Sequence, residues 1–261
     1  MILDEIAART RERIAEKKSR IRLTELQKLA SMENSSTGFP FERALGKDGL
    51  SFICEVKKAS PSKGVISEHF PYTEIAREYE RVGADAMSVL TEPFYFQGSD
   101  EYLRAIRREV SIPIIRKDFT VDEYMIYEAK LMGADAVLLI CAILSREQLK
   151  EYYEIADSLG LSALVETHDE REVEMALEAK ARIVGVNNRN LKDFTVDINN
   201  SLRLRELVPR DILFVSESGM KTPEDIAKLR DNGTDAVLIG ETFMRSDDRE
   251  GLIRSLRSSD V

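Results

Sequence analysis

Five charged side chains fall at the ends of predicted buried strands, where they could exchange protons with a bound molecule. Glu55 and Lys57 lie two residues apart in the run SFICEVK, so a strand would point both to the same face. Lys117, Glu166 and Glu217 each end another apolar run. Buried lysines and glutamates need a partner or a ligand, and enzymes use both as general acids and bases. The pattern indicates acid–base chemistry, although Glu55 and Lys57 taken alone would also suit the exposed face of a surface strand.

The elements that would position these residues repeat along the chain. GADAMSVL begins at Gly83, GADAVLLI at Gly133 and GTDAVLIG at Gly233, so the repeats are 50 and 100 residues apart. In each, glycine is the favoured residue just after a helix, and the apolar run that follows is typical of a buried parallel strand. Two strand–helix units of about 25 residues fill one such repeat, so strands and helices should alternate throughout the chain after Gly49.

Eight strands and eight following helices can be placed in this way, and they predict an α/β fold, the closed (β/α)8 TIM barrel. The alternative is an open doubly wound sheet, which more often carries a GxGxxG turn where this chain has ASPSKG. The strands are predicted at Ser51–Lys57, Ala86–Leu90, Ile114–Lys117, Ala136–Ile140, Ser162–Glu166, Ile183–Asn187, Leu213–Glu217 and Ala236–Ile239. The helices are predicted at Thr73–Val82, Asp100–Val110, Val121–Met132, Arg146–Leu159, Asp169–Ala179, Ser201–Val208, Pro223–Asn232 and Glu250–Arg257.

The residues before the first strand predict a helical extension. Met1–Ala30 carries apolar stripes at helical spacing, Ser31–Gly38 is a polar break, and Phe39–Leu45 brings apolar side chains to some surface. This stretch is too short to bury a core of its own. We therefore expect one domain over residues 1–261, with residues 1–48 packed on the barrel as an N-terminal extension.

Composition narrows the classes of function. The net charge of −9, with no long basic run, argues against nucleic-acid binding. No apolar run is long enough for a membrane span, and the N-terminus lacks the apolar core of a signal peptide. Cys54 and Cys141 fall in apolar runs, which suits a reducing compartment such as the cytoplasm. No metal-binding cluster is evident, and we assign no chemistry to His69 or His168, which lack partners at ligand spacing.

In a barrel of this type, reacting groups lie where strands end and strand-to-helix loops begin, and alternate strands supply one layer of inward side chains. Glu55, Lys117, Glu166 and Glu217 come from the four odd-numbered predicted strands. Such a layer of charge inside a barrel should pair internally or with a ligand, because unpaired buried charge is costly. The barrel context therefore favours a site over a solvated strand face.

Glycines after the seventh and eighth strands predict a phosphate site. Gly219 follows Ser218 in SESG, and Gly240 ends the last strand. Backbone N–H groups at these places commonly bind phosphate in such barrels, and Lys57 could add charge. Each glycine would also suit an ordinary turn, and Glu241 would repel an anion unless its side chain turns away.

The sequence resembles the indole-3-glycerol phosphate synthase family, from about Leu3 to Leu256. The motifs that carry the resemblance are ICEVKKASPSKG, TEPFYFQGS, IPIIRKDF, LLICAIL, LVETH, GVNNRNLKDFTVD and SESGM. Departures at Cys54, Val56 and Thr167 leave the functional side chains in place. The resemblance implies closure of 1-(2-carboxyphenylamino)-1-deoxyribulose 5-phosphate to indole-3-glycerol phosphate in tryptophan biosynthesis, with loss of carbon dioxide and water. It implies no cofactor and no metal.

The resemblance also implies a role for each site residue. Lys117, in KDF, resembles the general acid that protonates the substrate carbonyl, and Glu166, in LVETH, resembles the general base. Lys57 resembles the residue that holds anionic groups and donates a proton during dehydration, with Glu55 as its ionic partner and second base. The other implied site residues are Asn187, Glu217 and Ser218 in catalysis, and Ser60, Arg189, Ser218, Gly219, Gly240, Phe94, Phe96 and Phe119 in binding the substrate.

Three alternatives stay open from the residues. A different lyase on this barrel could form a Schiff base on Lys57 or Lys117. A non-catalytic phosphate binder would need no residue like Glu166. The neighbouring isomerase of the pathway would need a Cys–Asp pair, which is not found at the strand ends.

The resemblance implies an apolar slot for the anthranilate ring, formed by Phe94, Phe96 and Phe119. These phenylalanines would also suit ordinary core packing.

Two further expectations concern the surroundings of the site. The long first loop, Ser60–Pro71, is predicted to be mobile and to close over the bound substrate, with the N-terminal helices helping to cover the same opening. The expected partner is a small phosphorylated molecule, and association with other enzymes of the tryptophan pathway is compatible with a single-function chain.

Overall fold

A computed structural model of the chain describes residues 2–190 and 193–257. Eight parallel strands pair in chain order and close on themselves, because the first strand pairs with both the second and the last. The predicted (β/α)8 barrel is confirmed, and the alternative of an open sheet is wrong. The barrel strands are β1 (Ser51–Val56), β2 (Ala86–Leu90), β3 (Ile114–Lys117), β4 (Ala136–Ile140), β5 (Ser162–Thr167), β6 (Ile183–Asn187), β7 (Leu213–Glu217) and β8 (Ala236–Ile239).

A helix follows each strand, and three helices precede the barrel. The largest differences from the predicted helix ends are about three residues, as at the helix that begins at Tyr124 rather than Val121. The helices are α1 (Ile2–Arg20), α2 (Leu23–Ser31), α3 (Pro40–Leu45), α4 (Tyr72–Arg81), α5 (Asp100–Glu109), α6 (Tyr124–Met132), α7 (Arg146–Ser158), α8 (Glu170–Glu178), α9 (Asn199–Arg205), α10 (Pro223–Asp231), α11 (Glu241–Met244) and α12 (Arg249–Arg257).

Some predicted features lie outside the described residues. These are the predicted helical start at Met1, residues 191 and 192 of the GVNNRNLKDFTVD motif, and residues 258–261 of the expected domain. Three short elements of the structure were not predicted from the sequence. They are α11, a 3₁₀ turn at Cys141–Ile143, and a ribbon in which Ala59–Ser60 pairs antiparallel with Gly64–Val65.

The inside of the barrel is apolar at one level and charged at the next. On each odd-numbered strand, an inward apolar residue is followed two positions later by an acid or a base, as the period of a strand requires. The apolar residues are Ile53, Ile115, Leu164 and Val215, and the charged residues are Glu55, Lys117, Glu166 and Glu217.

The two ends of the barrel are covered by different parts of the N-terminal extension. Phe41 and Leu45 of α3 are fully buried in the interior cluster, and Ser51 at the start of β1 donates to the carbonyl of Ala44. The beginning of α1 instead reaches the opposite end, where Leu3 and Ile6 line the cavity described below. None of the helices in the described parts of the chain combines the length and apolar character needed to cross a membrane.

Candidate active site

A cavity of about 760 Å³ opens at the carboxyl ends of the barrel strands. It brings together thirteen of the fourteen site residues expected from sequence and leaves out one, Phe94. The thirteen are Glu55, Lys57, Ser60, Phe96, Lys117, Phe119, Glu166, Asn187, Arg189, Glu217, Ser218, Gly219 and Gly240.

Phe94 corrects the predicted aromatic slot. Its side chain is 54% exposed and lies under the guanidinium of Arg9, which is 5.3 Å from the ring centre. The cause is Glu92, whose buried carboxylate accepts hydrogen bonds from three successive backbone N–H groups, those of Phe94, Tyr95 and Phe96. The tight loop turns Phe94 outward and leaves Phe96 at the cavity.

The aromatic wall that does form is made of Phe96 and Phe119. Their ring centres are 5.8 Å apart, an ordinary separation for packed aromatic rings. Leu138 of β4 also lines the cavity, whereas Leu139 points outward into the core between the strands and the helices. A flat aromatic group would therefore contact two rings and an aliphatic side chain.

Lys117 is held between carboxylates from two other strands. Its Nζ lies 2.9 Å from Glu217 Oε2 and 3.3 Å from Glu166 Oε2. Burial works to lower the pKa of Lys117, but Glu217, Glu166 and Glu55 outweigh it and raise the pKa above its usual value. The lysine is therefore held as a cation, the form that a proton donor needs.

The two carboxylates beside Lys117 differ in character. Burial tends to raise the pKa of Glu166, but Lys117 and His168 hold it below its ordinary value. Burial raises the pKa of Glu217 to about 7, and the neighbouring charge of Glu166 adds to this rise. Glu217 Oε1 is also buried without a hydrogen-bond partner among the described residues. Neighbouring carboxyls with opposed pKa shifts divide into one that stays ionised and one that can gain or lose a proton near neutral pH.

Glu55 and Lys57 form a second ion pair in the cavity wall. Lys57 Nζ donates to Glu55 Oε2, and Ser88 Oγ donates to Glu55 Oε1 at 3.3 Å. Burial tends to raise the pKa of Glu55, but Lys57 and Lys117 lower it overall. A Cβ at Gly240 would collide with Glu55 Oε2 and lie 2.9 Å from Lys57 Nζ. Gly240 is thus required for this ion pair to fit, whatever else it binds.

The loop after β7, where the sequence predicts a phosphate site, turns sharply. Ser218 and Gly219 both have positive φ, 67° and 98°. Asn188, buried between β6 and β7, donates to the carbonyl of Ser218 and to Ser216 Oγ, each at 3.0 Å. This asparagine, the second of the NN pair in VNNRN, holds the turn in place and was missed by the sequence analysis.

The acid next to Gly240 also lines the cavity, but two basic side chains lie beside it. Glu241 Oε1 accepts a hydrogen bond from Arg245 at 3.1 Å and lies 3.8 Å from Lys63 Nζ. Both basic residues line the cavity, as does Lys221. The expected repulsion by Glu241 is therefore offset by two cations. The contact with Lys63 also joins the first loop to α11, while closure of that loop over a substrate stays a prediction.

Buried charges behind Lys117 tie the N-terminal extension to β3. Arg13 of α1 donates to both oxygens of Asp118, at 2.8 and 2.9 Å. Asp118 is 1% exposed and follows Lys117 directly. Arg116, on the opposite face of β3 from Lys117, pairs with Asp100 and Glu128, to which Lys17 of α1 also binds. This network was not predicted from the sequence, although the consecutive charges Arg116, Lys117 and Asp118 at the end of β3 indicate that both faces of the strand carry charge.

His168, to which no chemistry was assigned from the sequence, contacts Glu166. It follows β5 directly, and its Nε2 is 3.4 Å from Glu166 Oε1. Its Nδ1 lies 2.9 Å from Glu172 Oε2. The partner Glu172 is four residues away on the next helix, a spacing that helical geometry could have suggested.

Within residues 2–190 and 193–257, no group of three or more His, Cys, Asp or Glu residues is arranged to hold a metal ion.

Comparison with known proteins gives one family along the whole chain. The family model described as indole-3-glycerol phosphate synthase matches residues 3–256. An indole-3-glycerol phosphate synthase of Ruminiclostridium cellulolyticum is 60% identical over 259 residues, which cover 99% of this chain and 100% of that protein. The enzyme of the same name from Endomicrobium trichonymphae is 53% identical over 257 residues, which cover 98% of this chain and 100% of its own.

A solved structure of a differently named protein has the same fold. Thiamine phosphate pyrophosphorylase from Pyrococcus furiosus superposes with a TM-score of 0.61, covering 84% of this chain and 96% of its own. The two sequences are 18% identical, so this similarity shows the barrel fold alone.

Proposed function

The chain belongs to the indole-3-glycerol phosphate synthase family, and from that premise we propose how its cavity residues divide the work of the reaction. The enzyme is a carboxy-lyase of tryptophan biosynthesis that acts on a small phosphorylated substrate. It closes the ring of 1-(2-carboxyphenylamino)-1-deoxyribulose 5-phosphate to give indole-3-glycerol phosphate, carbon dioxide and water. The reaction requires a proton donor at the substrate carbonyl, a proton donor at the departing hydroxyl, and a base.

Lys117 is the proton donor at the carbonyl. Its ammonium group is kept protonated by Glu217 and Glu166, 2.9 and 3.3 Å away. As the carbon–carbon bond forms, the carbonyl oxygen gains negative charge and becomes far more basic than a lysine amine. A lysine whose pKa is raised can therefore still protonate it, because the acceptor is an incipient alkoxide.

Glu166 is the base that removes the ring proton during dehydration. Lys117 and His168 keep it ionised despite its burial. The side-chain amide of Asn187 also favours the ionised form, which supports a role for this asparagine in orienting the carboxylate. Glu217 fixes the position of Lys117 through its contact with Nζ at 2.9 Å.

Lys57 and Glu55 act on the hydroxyl that departs as water. The pair is fixed by its own salt bridge and by Ser88, and it lines the same cavity as Lys117. Lys57 donates a proton to the hydroxyl and contacts anionic groups of the substrate, while Glu55 is its ionic partner. The order in which the two lysines give up protons follows from the chemistry, since the carbonyl reacts before the hydroxyl can leave.

The remaining cavity residues bind the rest of the substrate. Phe96 and Phe119 pack against the anthranilate ring. Arg189 and Ser60 contact polar groups of the substrate. The turn at Ser218 and Gly219, together with Gly240, holds the phosphate, with Lys63, Lys221 and Arg245 as further cations in the lining.

The observation that carries this proposal is the position of Lys117 between two carboxylates of opposed pKa shift. The test is to add the anthranilate-ribulose phosphate and follow indole fluorescence. Lys117→Ala should abolish turnover while circular dichroism shows an intact fold, and Glu166→Gln should cost on the order of 10²-fold or more. Lys150→Ala, an exposed lysine on α7, is the matched control and should keep full activity. Full activity in Lys117→Ala would refute the assignment.

The Schiff-base alternative needs a neutral lysine. The contacts of Lys117 favour the cation, which is not a nucleophile, so they argue against that chemistry. Borohydride treatment in the presence of substrate should leave the mass of the chain unchanged. A reduced adduct on Lys117 or Lys57 would favour the alternative.

Three broader expectations remain proposals. We propose that residues 1–261 form one domain with residues 1–48 as an extension, which a single cooperative unfolding transition would support. A cytoplasmic location is supported by Cys54 and Cys141, which are both free and buried. Association with other enzymes of the tryptophan pathway can be tested by co-purification with the tagged full chain.

A further inference from the structure

We propose that His168 is a positioning residue for Glu166, and that its imidazolium, oriented by Glu172, holds the carboxylate in place from the side opposite Lys117. The inference deepens the proposed function, since it rests on Glu166 acting as the base. It gives a role in the reaction to a side chain that does not itself line the cavity.

Two helices fix the orientation of His168. Its backbone N–H donates to Glu172 Oε2 at 2.8 Å, and its Nδ1 lies 2.9 Å from the same oxygen. Asn200 of α9 donates to the carbonyl of His168 at 3.1 Å. An ionised carboxylate only accepts hydrogen bonds, so Nδ1 carries a proton. The ring can then present only Nε2 to the barrel.

Nε2 lies close to Glu166. It is buried, lacks a hydrogen-bond partner in the described parts of the chain, and lies 3.4 Å from Glu166 Oε1. In the neutral ring, Nε2 would turn a lone pair toward a carboxylate oxygen, which is repulsive. In the imidazolium it turns an N–H toward that oxygen, which is attractive. The geometry therefore favours the charged ring.

The charges around the ring support this protonation state. Glu172 from α8 and Glu166 from β5 contact it directly, and the charge of Glu217 from β7 also acts on it. Burial alone would lower the pKa of His168, but these carboxylates raise it. In return, the charge on His168 helps to keep the pKa of Glu166 low.

Glu166 is thus held by a cation at each oxygen. Oε2 faces Lys117 at 3.3 Å, and Oε1 faces His168 at 3.4 Å. When Lys117 gives its proton to the substrate, Glu166 loses one of the two charges that keep it ionised. His168 retains its charge at that moment, so the carboxylate stays ionised and in place for its own proton transfer.

The test is the pH dependence of kcat in His168→Gln. Loss of the cation should raise the pKa of Glu166, so the acid limb of kcat should move to higher pH. On the acid limb, kcat at a fixed pH should fall by about 10-fold for each unit by which the pKa rises, while KM changes little, because a protonated carboxyl cannot act as a base. Glu172→Gln should move the limb in the same direction by less. Glu174→Gln, exposed on the same helix and paired with Arg146, is the matched control and should not move it.

An unchanged acid limb and an unchanged kcat in His168→Gln would overturn the inference. If that variant does not fold, nuclear magnetic resonance can instead measure the pKa of His168 in the wild-type chain. The chain has only two histidines, and His69→Gln assigns their signals. The pKa of His168 should fall in Glu166→Gln, and an unmoved titration would overturn the inference. Full turnover in Glu166→Gln would instead refute the assignment of Glu166 as the base. If Glu166→Gln is inactive but the pH dependence of kcat in His168→Gln is the same as in wild type, only the role of His168 is refuted.

Discussion

Gly185 on β6 leaves the space that Glu217 on β7 occupies. A Cβ built on Gly185 would lie 2.5 Å from Glu217 Oε1 and 3.0 Å from a methyl of Leu164. Real Cβ atoms do not approach an oxygen this closely, so any side chain at this position must displace the carboxylate. Since Glu217 also contacts Lys117, the absence of a side chain at Gly185 helps to determine where that lysine lies.

Gly185→Ala should therefore impair turnover more than it impairs folding. Displacing Glu217 by about 1 Å releases Lys117 from its position, and misplacement of that size can cost about 10²-fold in kcat. The added methyl should cost about 1–3 kcal/mol of stability through overpacking. Steady-state kinetics and urea unfolding measure the two effects. Gly46→Ala is the control, because its Cβ would meet Glu42 O and Leu213 at ordinary contact distances of 3.4 and 3.7 Å. A wild-type kcat in Gly185→Ala would show that Glu217 is free to move.

Glu217→Gln should change how stability depends on pH. The carboxyl has its pKa raised from 4.5 to about 7 by burial. Because the folded state binds this proton more tightly than the unfolded state, its stabilising contribution is complete below pH 4.5 and is lost as the pH rises through about 7. Glutamine removes that dependence. The free energy of unfolding of the variant, relative to wild type, should therefore be more favourable at pH 8 than at pH 5, as measured in urea. Glu154→Gln, on the exposed face of α7, should follow wild type at both values, and parallel curves for Glu217→Gln would contradict the raised pKa.

The sequence could predict the charged layer because a strand has a period of two. Ile53 and Leu164 point into the barrel, so Glu55 and Glu166, two residues further on, must point inward as well, and closure of the barrel brings them to one cavity. Glycines after helices and apolar runs located the strands for a similar local reason.

The features that could not be predicted depend on contacts across the chain. Phe94 and Phe96 are equally apolar and two residues apart, and only the hydrogen bonds of Glu92 decide which of them faces the cavity. The direction of each pKa shift depends on distances between strands, which motifs do not contain. The role proposed for His168 likewise depends on its contacts with Glu172 and Glu166, which form only in the folded chain.

Arg13→Ala should destabilise the chain and weaken catalysis together. The substitution leaves the buried carboxylate of Asp118 without its closest cation, and breaking a buried ion pair in this way typically costs about 3–5 kcal/mol. Asp118 follows Lys117 directly, so its release should also lower kcat. Thermal unfolding and steady-state kinetics measure both effects. Arg20→Ala, on the same helix, is the control, because its salt bridge with Glu16 is exposed and should contribute less than about 1 kcal/mol. Equal melting temperatures for the two variants would mean that α1 does not depend on the pair with Asp118.

Phe96→Ala and Phe94→Ala form a matched pair that tests the aromatic wall. Both remove a phenyl ring from the same loop, but Phe96 faces Phe119 at the cavity, whereas Phe94 is 54% exposed. If the substrate's anthranilate ring packs on Phe96, its loss should cost about 1–2 kcal/mol of binding, or roughly 10-fold in KM. Phe94→Ala should stay within about twofold of wild type, because an exposed ring contributes little. Steady-state kinetics on both variants decides the matter. Equal KM values would place the anthranilate ring elsewhere in the cavity, and a larger effect of Phe94→Ala would mean that the loop held by Glu92 rearranges when substrate binds.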